Sequence, residues 1–275
     1  MKRRRIIMTI IVVISGLIFV LPLLWTLQTS FRPIFDIYQY PPRVIAGRLT
    51  LANYQYIFTE MDGFTRYFLN SIVVTFFTVA IVLISSAMSG YAFGARKFKG
   101  QNALFMAIIL VLGVPYIVYL IPIYMMEDKM GLLNTWLGLI LPYVALNLPW
   151  GLLIMRGAFS TIPLDVRDAA VIDGCNEFQL WYRVMLPLTR PALAATAIIT
   201  FVFAWQEFLF VSTLMSRNEW QTLPVGIVWL RDELQTVVYG RVSAMIVISI
   251  VPIIILFIVF RKFFIKGLTE GMLKG

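Results

Sequence analysis

The sequence contains no histidine, a single cysteine (Cys175), and charged residues at only 13% of its 275 positions. Lack of histidine removes the commonest general base and the commonest transition-metal ligand. One cysteine cannot close an internal disulfide, so cysteine pairing gives no information on compartment. No glycine-rich loop ends in Gly-Lys-Ser/Thr, and no carboxylate cluster or nucleophile motif is present, which leaves an integral membrane enzyme as the weakest reading. Nor is there an internal repeat or a low-complexity tract.

What is abundant is apolar surface. Hydrophobic residues make up 60% of the chain, and the mean hydropathy is +0.85. A soluble domain of this length needs far more charge to cover itself, so the bilayer is the fitting solvent. The net charge of +9 would suggest nucleic acid in a soluble protein. Here the basic residues lie between apolar runs, so they are read as orientation signals toward membrane lipid, with no nucleic-acid partner.

Crossing about 30 Å of hydrocarbon takes roughly 20 residues. Six stretches qualify: 6–31, 67–95, 102–126, 130–155, 190–216, interrupted by Glu207, and 242–260. Each is expected to be helical, because a lone strand cannot satisfy its backbone in lipid. The fold class expected is all-α integral membrane, a single domain over 1–275. Pro22, Pro115, Pro122, Pro142, Pro149 and Pro252 fall in these runs, as plain kinks or as bends that enclose a cavity. The run after Lys2-Arg3-Arg4-Arg5 is longer than a signal-peptide core and reads as a retained first span. With the N-terminus inside, nearly two-thirds of the 23 Lys and Arg fall on the inner side, which puts both termini in the cytoplasm.

The connection 160–187 is the most informative stretch. Ser160 or Thr161 can cap a helix, Pro163 fits its first turn and Asp165 its positive end. Gly174 can end it in the left-handed conformation, and Asn176 can cap a second short helix through Tyr182. Val166, Ala169, Ala170 and Asp173 share one face. Its alanines allow close approach of another surface, and the acids can pair with basic groups. Such a helix suits docking into a groove of a soluble partner. The alternative is an amphipathic helix lying on lipid headgroups, which Asp165, Asp168 and Asp173 disfavour beside an anionic leaflet.

Asp168-Ala169-Ala170, Asp173-Gly174 and Leu186-Pro187 stand at the spacing of a known signature. The chain thereby resembles the permease subunits of binding-protein-dependent ABC importers. It has Asp168 for the usual Glu and Cys175 for a usual Ala. Leu51-Ala52-Asn53-Tyr54, Gly131-Leu132-Leu133-Asn134-Thr135, Trp205-Gln206-Glu207-Phe208 and Thr222-Leu223-Pro224-Val225-Gly226 extend the likeness to the maltose and glycerol-phosphate type of the carbohydrate-uptake family. The resemblance implies the type I importer permease fold with six transmembrane helices in the bacterial cytoplasmic (inner) membrane. It implies a coupling helix near 163–173 that transmits closure of two ATPase subunits, with Gly174 holding the turn and Asp168 pairing with an ATPase arginine. The further partners implied are a second homologous permease subunit and a periplasmic or lipid-anchored sugar-binding protein. This chain would bind no cofactor itself, with ATP and Mg2+ on the partner ATPase.

Glu207 is the one clear acid inside a span. It is either a cavity group that bonds sugar hydroxyls together with Gln206, or a structural contact between helices. Trp205 is read either as a stacking surface for sugar or as packing. Asn70, Asn147 and Trp150 either line a path or bond between helices. Tyr116, Tyr119 and Tyr124 fit an aromatic belt, and Ser85-Ser86-Ala87 with Ser89-Gly90 fit close helix packing. In the outer loop 217–241, Trp220, Trp229 and Arg231 are candidates for docking a binding protein, or aromatic anchors at the interface. A proton- or sodium-coupled secondary carrier is the competing function, although such carriers usually place several ionisable groups in the membrane.

Overall fold

The structure, a computed structural model, describes residues 2–41, 47–228, 230 and 238–272, and among these every regular element is helical. The principal helices are α1 (Lys2–Ser30), α2 (Phe64–Ala95), α3 (Gln101–Leu110), α4 (Leu120–Met130), α5 (Leu137–Ser160), α6 (Leu164–Ile172), α7 (Arg190–Gln206), α8 (Leu209–Leu214) and α9 (Tyr239–Met272). Among the described residues, four helices are long and apolar enough to span a bilayer alone, and up to six spans result if each bent pair counts as one. Their large apolar side chains stand exposed along α1, α2, α5 and α9, as a lipid-facing surface requires.

Three expected runs differ in detail. The run 102–126 is broken: Gln101–Gly113 and Tyr116–Met130 meet at 96°. Pro115 causes the break, because its ring forces the preceding Val114 out of the helical region (φ −100°, ψ 126°). The run 130–155 becomes helical only at Leu137 and continues to Ser160. Gly131 (φ 67°) and Asn134 (φ 57°) adopt left-handed backbone and form a turn ahead of it. The run 190–216 stops at Gln206; Glu207 is extended (φ −66°, ψ 127°) and α8 resumes at Leu209. Upstream, the helical segment Glu177–Leu188 meets α7 at 77°, with Pro191 in the first turn of α7 where its missing N–H costs nothing.

The chain divides into two compact units, 1–65 with 226–253, and 66–225 with 254–275. In the first, Asn53 is buried and its amide donates to the carbonyls of Ser30 and Arg32, both at 2.9 Å. Tyr54 adds a hydroxyl contact of 2.8 Å to Ser30. Gly240 lies against Asn53 so closely that a Cβ would sit 2.8 Å from its amide atoms. Arg241 stacks 3.4 Å above the Tyr56 ring.

The second unit is organised by the approach of α2 to α5. A Cβ on Gly90 would fall 2.4 Å from the Met155 Cβ, one on Gly94 would fall 2.6 Å from the Arg156 carbonyl, and one on Gly151 would fall 2.8 Å from the Ser86 Cβ. Small residues four apart on α2 thus let two backbones meet, as close packing in membranes requires. One core gathers Val74, Leu139, Tyr143, Phe210 and Leu214 at one end. Another, of Ala87, Met155, Phe159, Ala170, Leu180 and Met185, fastens α6 at the other.

Candidate functional site

The α6 segment forms much as its sequence requires. Pro163 precedes the helix, Asp165 lies in the first turn, and Gly174 follows at φ +81°. Asn176 closes a full capping box: its side chain accepts from the Gln179 N–H at 2.9 Å, and the Gln179 amide oxygen accepts from the Asn176 N–H at 3.0 Å. The second helical stretch continues past Tyr182 through a wide π-type turn, Leu180–Met185, to Leu188. Ser160 and Thr161 do not cap α6. Their hydroxyls turn back to the carbonyls of Gly157 and Ala158, in the last turn of α5.

Of the face expected to dock, Ala169 and Asp173 are exposed, and Val166 and Ala170 are not. Ala170 is buried in the chain's own core and Val166 is half-buried, so this flank anchors α6 instead of facing outward. Its small size is used inward, against Met155 and Phe159. The outward stripe consists of Leu164, Asp165, Asp168, Ala169 and Ile172, with Val171 and Asp173 at its edge. Ile172 is 85% and Leu164 69% exposed, which leaves large apolar side chains uncovered on this stripe. Phe178 (68% exposed) and Tyr182 (58%), stacked with ring centroids 6.2 Å apart, add two further aromatics that sequence reading missed. Their i, i+4 spacing in a polar connection was the available signal. Leu186 and Pro187 are half-buried.

Glu207 is accounted for by structure. Its carboxylate accepts the Tyr143 hydroxyl at 2.8 Å and the backbone N–H groups of Phe210 (3.0 Å) and Val211 (3.3 Å). It therefore caps α8, supplying acceptors to N–H groups that the helix break leaves unpaired. Trp205 is buried, stacked on Phe201 at 5.6 Å and edge-on to Phe68, while Gln206 is exposed. Asn70 donates to the carbonyls of Glu219 and Gln221, both at 2.9 Å, and accepts from the Trp136 indole N–H at 3.0 Å. Ser71 accepts the Leu223 N–H at 2.8 Å. Asn134, unmarked as a site in the sequence, accepts the Arg217 N–H at 2.8 Å.

Asn147 and Trp150 do come together. With Leu112, Pro115, Tyr116, Tyr119 and Phe203 they line a cavity of about 350 Å³ at the α3–α4 break. Trp150 is half exposed; Asn147 is buried with its amide on the Tyr143 carbonyl at 2.8 Å. Aromatic faces beside a few polar groups are the usual composition of a small-molecule site. Asn70, Trp205, Gln206 and Glu207 are not among its walls.

Of the three outer-loop candidates, Trp220 is half-buried and lies edge-on to Trp136, centroids 5.7 Å apart. Trp229 and Arg231 lie outside the described residues.

Residues 86–269 match the family described as binding-protein-dependent transport system inner membrane component. The chain is 36% identical to the arabinooligosaccharides transport system permease protein AraQ of Halalkalibacterium halodurans, over 93% of this chain and 91% of that one. It is 33% identical to the sulfoquinovosyl glycerol transport system permease protein SmoH of Agrobacterium fabrum, over 100% and 94%. Its fold matches a subunit of a bacterial ABC transporter that imports the acidic polysaccharide alginate, with a TM-score of 0.81, 23% identity, and coverage of 94% and 95%.

Proposed function

The chain belongs to the binding-protein-dependent transport system inner membrane components, and from that premise we propose how its parts divide the work of import. It is a permease subunit of a sugar ABC importer and not an enzyme; nothing favours the secondary-carrier alternative. The finer reading has 1–275 acting as one domain of six spans in the bacterial cytoplasmic membrane, with both termini cytoplasmic. A second homologous permease completes the path, a periplasmic or lipid-anchored binding protein delivers the sugar, and two ATPase subunits hold ATP and Mg2+.

In this reading α6 is the coupling helix. Leu164, Ile172 and the exposed face of Ala169 enter a groove of the ATPase, and Asp165, Asp168 and Asp173 meet its basic groups. Ala170 and the cluster around it carry the motion inward, because Met155 and Phe159 belong to the same core and to α5. Close-packed interiors transmit displacement with little loss. Gly174 sets the angle between α6 and the following stretch.

The observation that carries the substrate reading is the aromatic cavity at the α3–α4 break. Tyr116, Tyr119 and Trp150 offer ring faces to the apolar side of a pyranose, and Asn147 offers hydrogen bonds. The path reading therefore moves from Asn70, Trp205 and Glu207, whose contacts are structural, and from Gln206, which is exposed but not in the cavity wall, toward Asn147 and Trp150. The test is labelled-glycoside uptake by cells carrying the complete importer. Trp150→Ala and Asn147→Ala should lower uptake with the protein still at normal abundance and the ATPase still assembled. Unchanged uptake in both variants rejects the cavity as the path.

A further inference from the structure

A second cavity, of about 580 Å³, lies where α2 gives way to α3 and is lined by Gly94, Arg96, Lys97, Phe98, the first turn of α3 (Gly100–Ala103) and Arg156. Its walls hold three cations and no acid. The arrangement follows from the helix packing: Gly94 brings the α5 backbone at Arg156 against α2, so Arg156 is placed beside a loop 60 residues distant in sequence. The guanidinium is then fixed 3.7 Å above the Phe105 ring.

The loop is likewise fixed. The Gln101 amide donates to the carbonyls of Phe93 (2.6 Å) and Arg96 (3.0 Å), and Phe98 packs edge-on to Phe93 at 5.3 Å. Arg96 pairs with Glu177, so Lys97 and Arg156 are the cations least committed elsewhere. No side chain caps α3; the Gln101 N–H goes to the Phe98 carbonyl at 3.3 Å, while those of Asn102 and Ala103 in the same first turn have no helical acceptor and add positive potential. Immediately beyond this polar end, Leu104, Met106 and Leu110 of α3 are all more than half exposed.

We propose that this cavity binds the phosphate of an anionic phospholipid headgroup, with the acyl chains lying along the exposed face of α3. Phosphate is the chemistry that a cationic cradle at a helix N-terminus selects. The apolar face continuing from it argues for a lipid over a free phosphate ion. On the proposed topology the site is at the cytoplasmic leaflet, where basic pockets between spans meet anionic lipid. The proposal is independent of which sugar is carried.

The test titrates the full chain, purified in neutral detergent, with dihexanoyl phosphatidylglycerol, dihexanoyl phosphatidylcholine or inorganic phosphate, and follows the thermal unfolding midpoint. Phosphatidylglycerol should give a saturable rise that phosphatidylcholine does not. Lys97 is exposed, so Lys97→Gln should fold normally and raise the half-saturating concentration roughly fivefold, as expected for one cation at a membrane surface. Lys99→Gln, at a cation outside the cavity wall, should leave it unchanged. An equal response to both lipids, or wild-type saturation in Lys97→Gln, overturns the proposal. Saturation by inorganic phosphate at the same concentration as phosphatidylglycerol overturns the lipid assignment.

Discussion

The Tyr143 hydroxyl donates to the Glu207 carboxylate across 2.8 Å, joining the second turn of α5 to the break between α7 and α8. The same carboxylate caps α8 through the Phe210 and Val211 N–H groups. Both residues are buried, Tyr143 completely, so the bond is sheltered from competing water. An acid that the sequence leaves open between a cavity group and a structural contact is thus the fastening of a discontinuous helix.

This pair can be tested by a double-mutant cycle on thermal stability in detergent. Glu207→Ala leaves the Tyr143 hydroxyl and two backbone N–H groups unsatisfied, and should cost about 2–4 kcal/mol, the sum of several orphaned groups. Tyr143→Phe should cost about 1 kcal/mol. The double variant should be more stable than the sum of the single losses predicts, with a coupling on the order of 1 kcal/mol. Strict additivity would exclude the contact.

Asn70→Asp is nearly isosteric but replaces an amide that donates to two carbonyls, those of Glu219 and Gln221, by an acceptor. The carboxylate would face two carbonyl oxygens, so the 217–222 segment should detach. Amide hydrogen exchange in that segment should rise well above its wild-type level, whereas Asn70→Ser should produce a smaller effect. Equal protection in wild type and Asn70→Asp contradicts the clasp.

Gly90→Val and Gly94→Val should each destabilise by about 1–3 kcal/mol or abolish accumulation, since a Cβ alone already collides with α5. Gly157→Val is the control, because a Cβ there has nothing within 4 Å. Membrane-extracted abundance and unfolding midpoint read the difference. Similar losses at all three glycines would indicate a helix-wide effect instead of a contact.

Ile172→Glu and Ala170→Phe separate the two flanks of α6. Ile172 is exposed, so Ile172→Glu should leave abundance intact but reduce ATPase co-purification and ATP-driven uptake at least tenfold. Ala170 is 6% exposed within the core of Met155, Phe159 and Leu180. Ala170→Phe should therefore overpack the core and lower abundance first, at a cost of about 1–3 kcal/mol. Gly174→Val, with φ +81° and open space around it, tests backbone strain alone, expected to be about 1–2 kcal/mol. Normal ATPase binding by Ile172→Glu would show that the outward stripe is not the docking face.

The helical class, the Gly174 stop after α6 and the Asn176 cap were legible because local signals set them, whereas the cap expected from Ser160 or Thr161 does not form. Apolar runs long enough to cross a bilayer must satisfy their own backbone, Pro163 and Gly174 bound a helix by their permitted φ, and the Asn176 and Gln179 side chains reach only nearby N–H groups. The direction of side chains within the bundle was not legible. Which flank of α6 faces inward depends on where Met155 and Phe159 of α5 lie, and whether Glu207 is wet or bonded depends on Tyr143, 64 residues away. Those outcomes are set by packing between segments distant in sequence, where one residue's partner is chosen by the whole bundle. The cationic cavity is of the same kind: Lys97 and Arg156 are unremarkable positive charges until Gly94 lets two helices touch and the three-dimensional fold brings them to one wall.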